Sequence, residues 1–194
     1  CAVGVQGELA ITTPMPSMPL GFLGDPDGSR YRRAYFDRFP GVWCHGDWIT
    51  FTASGGCIIS GRSDATLNRG GVRLGSADFY AVVESLPEVV DSLVIHLDES
   101  GRDTLALFVK LAPGVVLDDA LRAKIRSELR AALSPRHSPD VIEAVPAVPR
   151  TLSNKKLEVP VKKILCGEPA DRVLSSESLA DPSAVDWYVE YSRG

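Results

Sequence analysis

Three short polar tracts of this sequence carry side chains suited to chemistry. The first is His45-Gly46-Asp47-Trp48, where a carboxylate follows a glycine at the entry to a strand-like run. Its two oxygens can accept from both hydroxyls of a diol such as a ribose; an aspartate so placed is equally a turn residue bonded to its own backbone. The second is Gly61-Arg62-Ser63-Asp64 followed by Gly70-Gly71-Val72-Arg73. Guanidinium forks fit phosphate oxygens and glycines admit close backbone approach, although a charged interdomain linker has the same composition. The third is Thr151-Leu152-Ser153-Asn154-Lys155-Lys156. It offers either an ammonium that a loop can swing onto a developing negative charge, or a plain solvated basic surface.

Other chemistries find no footing. There is no Gly-Lys dipeptide, hence no P-loop of the Walker type, and no G-x-G-x-x-G, G-x-S-x-G or H-E-x-x-H. The four cysteines (Cys1, Cys44, Cys57, Cys166) and three histidines (His45, His96, His137) are dispersed, without C-x-x-C spacing. That argues against a disulfide framework, predicts no metal site, and fits a reducing, cytoplasmic compartment. The chain has 194 residues with 25 acidic and 21 basic side chains, net −4, so no nucleic-acid partner is expected. No run approaches the roughly 18 apolar residues of a membrane span, so no membrane partner is expected either. Six acids and two bases fall in the last 28 residues, which leaves the preceding 166 balanced.

The elements that must position the three tracts follow from periodicity and punctuation. Residues 14–42 are dense in Pro, Gly and aromatics, which forbids a long helix and predicts an irregular surface segment. Trp48–Thr52 and Cys57–Ser60, separated by Ala53-Ser54-Gly55-Gly56, read as a hairpin. Residues 61–71 are short, polar and glycine-punctuated, as a hinge would be. Val72–Leu74 reads as a strand, and Ser76 as the cap of a helix burying Phe79, Val82, Val83 and Leu86. Val89–Leu97 and Thr104–Leu111 read as strands. Asp118–Leu133 reads as a helix with Leu121, Ile125, Leu129 and Leu133 on one face. Asp140–Val145 is a further strand and Pro160–Leu165 a short helix. The order β-α-β-β-α-β predicts a small α+β domain. The acidic stretch 167–194 ends in Trp187, Tyr188, Val189 and Tyr191, and aromatics there predict docking rather than a solvated tail.

Taken in order, His45-Gly46-Asp47, Gly61-Arg62-x-Asp64 with Gly70-Gly71-x-Arg73, and Pro149-x-Thr151-x-Ser153-x-Lys155 resemble the C-terminal signature series of the adenylate-forming superfamily. That superfamily holds the acyl-CoA synthetases, luciferases and peptide-synthetase adenylation domains. The run Tyr35-Phe36-Asp37 through Gly46-Asp47, Leu67-Asn68 to Gly75, Ser134-Pro135-Arg136-His137 and the acidic extension beyond 166 are most similar to its acetoacetate-activating ligases. Asn154 departs from the pattern, which usually has glycine before the lysine.

The resemblance implies a large N-terminal domain ending at residues 1–60, a hinge at 61–66, a mobile C-terminal α+β domain at 67–166, and an acidic extension at 167–194. It implies an acid–CoA ligase using ATP (with Mg²⁺ held by the N-terminal domain) and coenzyme A, acting on acetoacetate or a similar short acid. Carried over by position, Asp47 and Arg62 would hold the ribose of the adenylate, and Asp64 would be the hinge. Arg73 would stabilise one domain orientation near the phosphate. Gly70 and Gly71 would line the pantetheine tunnel, Arg130 would meet a CoA phosphate, and Lys155 would bridge acyl carboxylate and α-phosphate. A free-standing non-catalytic module of the same fold, and an acyl-AMP ligase loading a carrier protein, are the alternatives. The chain starts at Cys1 without an initiator methionine or signal-like stretch, which reads as the middle of a longer protein, inactive as an isolated fragment.

Overall fold

The computed structural model describes residues 2–63, 67–69, 72–97 and 103–193. It divides into two compact units, Cys1–Asp64 and Ala65–Gly194.

The first unit is built on a three-stranded antiparallel meander. Strand β1 (Gln6–Ile11) pairs with β2 (Trp43–Phe51), which pairs with β3 (Cys57–Arg62). The expected hairpin is therefore present, longer at both ends, with β1 added on its outer side. Between β1 and β2, the Pro-rich segment contains a short helix, α1 (Ser29–Tyr35). The Asp25 carboxylate accepts from the backbone N–H of Arg30 at 3.1 Å and of Tyr31 at 2.8 Å, replacing partners that a helix start lacks. Tyr35 stacks on the buried Trp43 ring with centroids 3.8 Å apart, and Tyr31 and Phe36 meet the same indole. The segment thus holds no long helix, as its proline density requires, and aromatic contact supports the one short helix within it.

The second unit is α+β. Strands β4 (Leu67–Arg69) and β5 (Val72–Leu74) pair, so the tract read as a hinge through residue 71 already belongs to a hairpin by Leu67, which is buried. Helix α2 (Ser76–Val83) follows; its cap is Gly75, one residue before the expected Ser76, which is buried in its first turn. A mixed sheet joins β6 (Val89–Leu97), β7 (Thr104–Leu111) and β8 (Val141–Ala144), with β6–β7 antiparallel and β7–β8 parallel. The β7–β8 crossover is helix α3 (Asp119–Ala132), capped where Asp118 accepts from the Leu121 N–H at 2.8 Å.

Both faces of this sheet are buried, which explains the near-continuous apolar runs of β6 and β7. Val94, Leu105, Leu107, Val109 and Ile142 face α2 and α3. Leu93, Ile95, Ala106 and Phe108 face α4 (Glu158–Leu165) and the acidic stretch. That stretch forms α5 (Ala170–Val173), 3-10 turns at Ser176–Ser178 and Pro182–Val185, and α6 (Asp186–Tyr191). Leu179, Ala184, Val185 and Tyr188 are buried.

Tyr188 is fully buried edge-on to Phe108, with ring centroids 5.2 Å apart, and its hydroxyl has no hydrogen-bond partner among the described residues. Burial, with the nearby Asp91 charge, pushes that hydroxyl well above the usual tyrosine value. Because the folded-state value is raised, this contribution to stability is intact below about pH 10 and declines as pH rises further. Tyr188→Phe removes an orphaned polar atom while keeping the ring. Denaturant unfolding is expected to show the variant unchanged or stabilised by up to about 1–3 kcal/mol at neutral pH. Its stability curve is expected to be flatter in alkali.

Candidate functional site

The first unit places Asp47 and Arg62 directly opposite each other across the β2–β3 ladder. Asp47 Oδ1 lies 3.9 Å from Arg62 Nε, and Oδ2 accepts from the His45 ring at 2.6 Å. Gly46, between His45 and Asp47, has φ +84, and a Cβ there would sit 3.1 Å from Arg62 Nη2. Only glycine supplies that backbone while leaving the guanidinium room. Gly46→Ala is expected to cost about 1–2 kcal/mol from left-handed strain alone. It should also displace Arg62, and urea unfolding together with nucleotide titration would report the two effects separately. A cleft of about 470 Å³ opens here, lined by Arg33, Tyr35, Arg38, His45, Gly46 and Arg62 among others. Three guanidinium groups beside a diol-competent carboxylate suit a sugar-phosphate ligand.

Behind this cleft is a polar cluster that none of the three polar tracts announces. Glu8 of β1, nearly buried, accepts from Arg38 Nη1 at 2.6 Å, from Ser63 Oγ at 2.7 Å and from Cys44 Sγ at 3.3 Å. The Ser63 N–H also donates to the Gly46 carbonyl at 2.8 Å, so the chain leaving β3 is fixed at two points. Burial and the facing Glu8 carboxylate push the Cys44 thiol up, away from nucleophilic use. Its one signal in the sequence is a lone acid inside an otherwise uncharged strand.

The second unit carries the lysine tract as a tight loop. Arg150 and Lys156 form an antiparallel bridge, the Thr151 N–H donates to the Lys155 carbonyl at 2.9 Å, and the Asn154 N–H donates to the Thr151 carbonyl at 2.8 Å. Thr151 Oγ1 accepts from the Lys155 N–H at 3.0 Å. Asn154 has φ +64, the sole non-glycine residue in that region among the described residues. Asparagine in the glycine position of the family pattern thus adopts the conformation a glycine would give.

The two adjacent lysines have opposite surroundings. Lys156 reaches inward, in contact with Glu84 Oε1, 2.6 Å from the Ser92 carbonyl and 3.1 Å from Asp91 Oδ1. Its ammonium also lies 3.5 Å from the Tyr80 ring centroid. Lys155 is exposed, and its ammonium has no ion pair or hydrogen bond among the described residues. Arg150, missed from sequence, forks onto Asp91 (Nη2–Oδ1 2.8 Å, Nε–Oδ2 3.1 Å) and donates to the Asn154 carbonyl at 2.9 Å. It ties the loop tip to β6. Burial alone would raise the Asp91 carboxyl, but hydrogen bonding to Arg150 and the Lys156 charge outweigh it and hold that carboxyl below its ordinary value.

The remaining expected residues are more dispersed. Arg130 is exposed in the last turn of α3. Arg73 stands in β5 opposite Asn68, its side chain outside what the structure describes. Asp64, Gly70 and Gly71 lie outside the described residues. Among the described residues no helix is long and apolar enough to cross a membrane.

No protein-family model matches the sequence. The chain is 49% identical over 185 residues to acetoacetyl-coenzyme A synthetase of Rhizobium meliloti (strain 1021), an alignment covering 95% of this chain and 28% of that protein. Among solved structures, acetoacetyl-CoA synthetase from Streptomyces lividans superposes with a TM-score of 0.89 at 49% identity, over 99% of this chain and 29% of that one. The anthranilate CoA ligase AuaEII in complex with anthranoyl-AMP shares the fold, with a TM-score of 0.64 at 22% identity over 80% of this chain and 29% of that one. The chain spans about 28% of the length of the curated relatives it matches.

Proposed function

Because this chain belongs to the acetoacetyl-CoA synthetases, matching their C-terminal portion, we propose that the protein carrying it is an ATP-dependent acetoacetate–CoA ligase. In the first half-reaction the acid's carboxylate attacks the α-phosphorus of ATP, forming an acyl-adenylate and releasing pyrophosphate. In the second, the CoA thiol attacks the acyl carbon, forming the thioester and releasing AMP. Asp47 and Arg62 bind the ribose hydroxyls, supported by their cross-strand pairing and the cationic cleft beside them.

The observation that carries the reading is the lysine pair: Lys155 presents an uncommitted ammonium at the tip of a fixed loop, while Lys156 is bound inward. Adenylation joins two anions, so a cation placed at their junction lowers the barrier. That cation must leave before CoA attacks, which gives a reason for domain rotation. The proposal places a hinge at 61–66 with Asp64 at its centre, a domain at 67–166, and the large N-terminal domain, ending at residues 1–60, as the intramolecular partner. Arg73 stabilises one domain orientation near the phosphate, Arg130 meets a CoA phosphate, and Gly70 and Gly71 line the pantetheine path. Mg²⁺ is expected to be held with ATP by the large N-terminal domain. The thiols of Cys44 and Cys57 support a reducing, cytoplasmic setting.

The test uses the whole protein. Acetoacetate-dependent exchange of pyrophosphate into ATP, and CoA-dependent release of AMP, are the expected results. The 194-residue chain alone is expected to show neither. Absence of exchange with acetoacetate and with other short acids would overturn the proposal.

A further inference from the structure

The Lys155 loop is held on two sides, and the second side is unexpected. On the inner side Arg150 and Lys156 tie it to Asp91 and Glu84. On the outer side lies the acidic stretch. Thr151 bridges Leu179, the Leu152 N–H donates to the Ser178 carbonyl at 3.1 Å, and the Ala180 N–H donates to the Arg150 carbonyl at 2.9 Å. This outer segment is itself anchored. Leu179 is buried in the core beneath α4, and Asp181 turns the chain by accepting from the Ser183 N–H at 3.0 Å and Oγ at 2.7 Å. Val185 and Tyr188 then fasten the remainder against the sheet.

A loop that must place one ammonium between two reacting groups loses much of its effect when it wanders by an ångström. Neighbouring Leu152 is exposed and contributes little packing of its own. Backbone pairing with an anchored segment supplies the missing restraint. We propose that Ser178–Ala180 is a positioning element for adenylation, bracing the loop so that Lys155 is delivered in a fixed pose. The inference rests on the role of Lys155 proposed above.

In the whole protein, Ala180→Pro removes the N–H bonded to Arg150 while leaving every buried side chain in place. Leu179 already has φ −91 and ψ 137, a backbone that accepts a following proline. Acetoacetate-dependent pyrophosphate exchange is expected to fall about tenfold or more. The KM for ATP, and thioester formation from supplied acyl-adenylate, are expected to stay at parental values. Hydrogen exchange at the Leu152 amide is expected to accelerate, with the melting temperature near the parent's. Should Ala180→Pro fail to fold, Leu179→Ala, which loosens the same segment, is expected to give the same split.

Unchanged adenylation with a faster-exchanging Leu152 amide would overturn the brace, and so would equal losses in both half-reactions, the mark of general destabilisation. Lys155→Ala run in parallel separates the two layers. If it abolishes adenylation while the Ala180 variant does not, the brace alone fails; if it leaves adenylation intact, the underlying reading fails and takes the brace with it.

Discussion

Lys155→Ala in the whole protein is expected to slow acyl-adenylate formation by about 10²–10³-fold, the scale of losing one pre-placed charge or donor at a developing anion. Thioester formation from supplied adenylate is expected to survive, because the proposed rotation carries this loop away before CoA attacks. Single-turnover measurement of each half-reaction checks this, and equal loss in both would count against a lysine dedicated to adenylation. The neighbour gives the contrasting result. Lys156→Ala leaves Glu84 and Asp91 facing each other without their shared cation and uncovers the Tyr80 ring. Its principal effect should be a lower melting temperature, with adenylation and thioester formation reduced together.

Asp91→Ala is expected to be strongly destabilising. It strips Arg150 of a two-pronged partner and Lys156 of one of its two carboxylates, and both cations are largely enclosed. Removing one member of such a cluster costs about 3–5 kcal/mol, mostly from charge left without a counter-ion. For a unit of this size that lowers the melting temperature by roughly 10–20 °C, readable by calorimetry. The pH dependence has a definite sign. The folded state holds the Asp91 carboxyl below its ordinary value, so the unfolded chain binds the proton more tightly. The contribution is therefore intact above about pH 4 and is lost as pH falls through the folded-state value. Asp91→Asn keeps the shape, and its unfolding is expected to depend less on acid.

What the sequence disclosed follows from the range of the forces involved. The α3 stripe of Leu121, Ile125 and Leu129 and the apolar runs of β6 and β7 are local patterns, legible in the order of the residues alone. The candidates Asp47, Arg62 and the Lys155-Lys156 pair stood out through the spacing of three motifs, each weak when taken singly. Helix α1 was hidden because its support comes from Asp25 at its start and from Trp43 on a different element. Glu8 and Arg150 were hidden for the same reason at longer range. Glu8 meets Ser63 across 55 positions and Arg150 meets Asp91 across 59, and no window of neighbouring residues records such a meeting. The choice between Lys155 and Lys156 was equally beyond local pattern, since only tertiary contacts distinguish two adjacent lysines.

The burial of Tyr188 beneath the sheet also bears on the order in which the protein becomes competent. Synthesis runs from the N-terminus, and domains fold as they emerge. The core formed by α2, α3 and the sheet is complete once β8 has been made. The opposite core still lacks Leu179, Val185 and Tyr188 at that moment, and with them the outer partner of the lysine loop. A nascent chain can therefore hold a folded half-domain while its lysine loop lacks its outer support. Translation that stops short of these residues leaves an apolar sheet face only partly covered, a form that chaperones and proteases recognise.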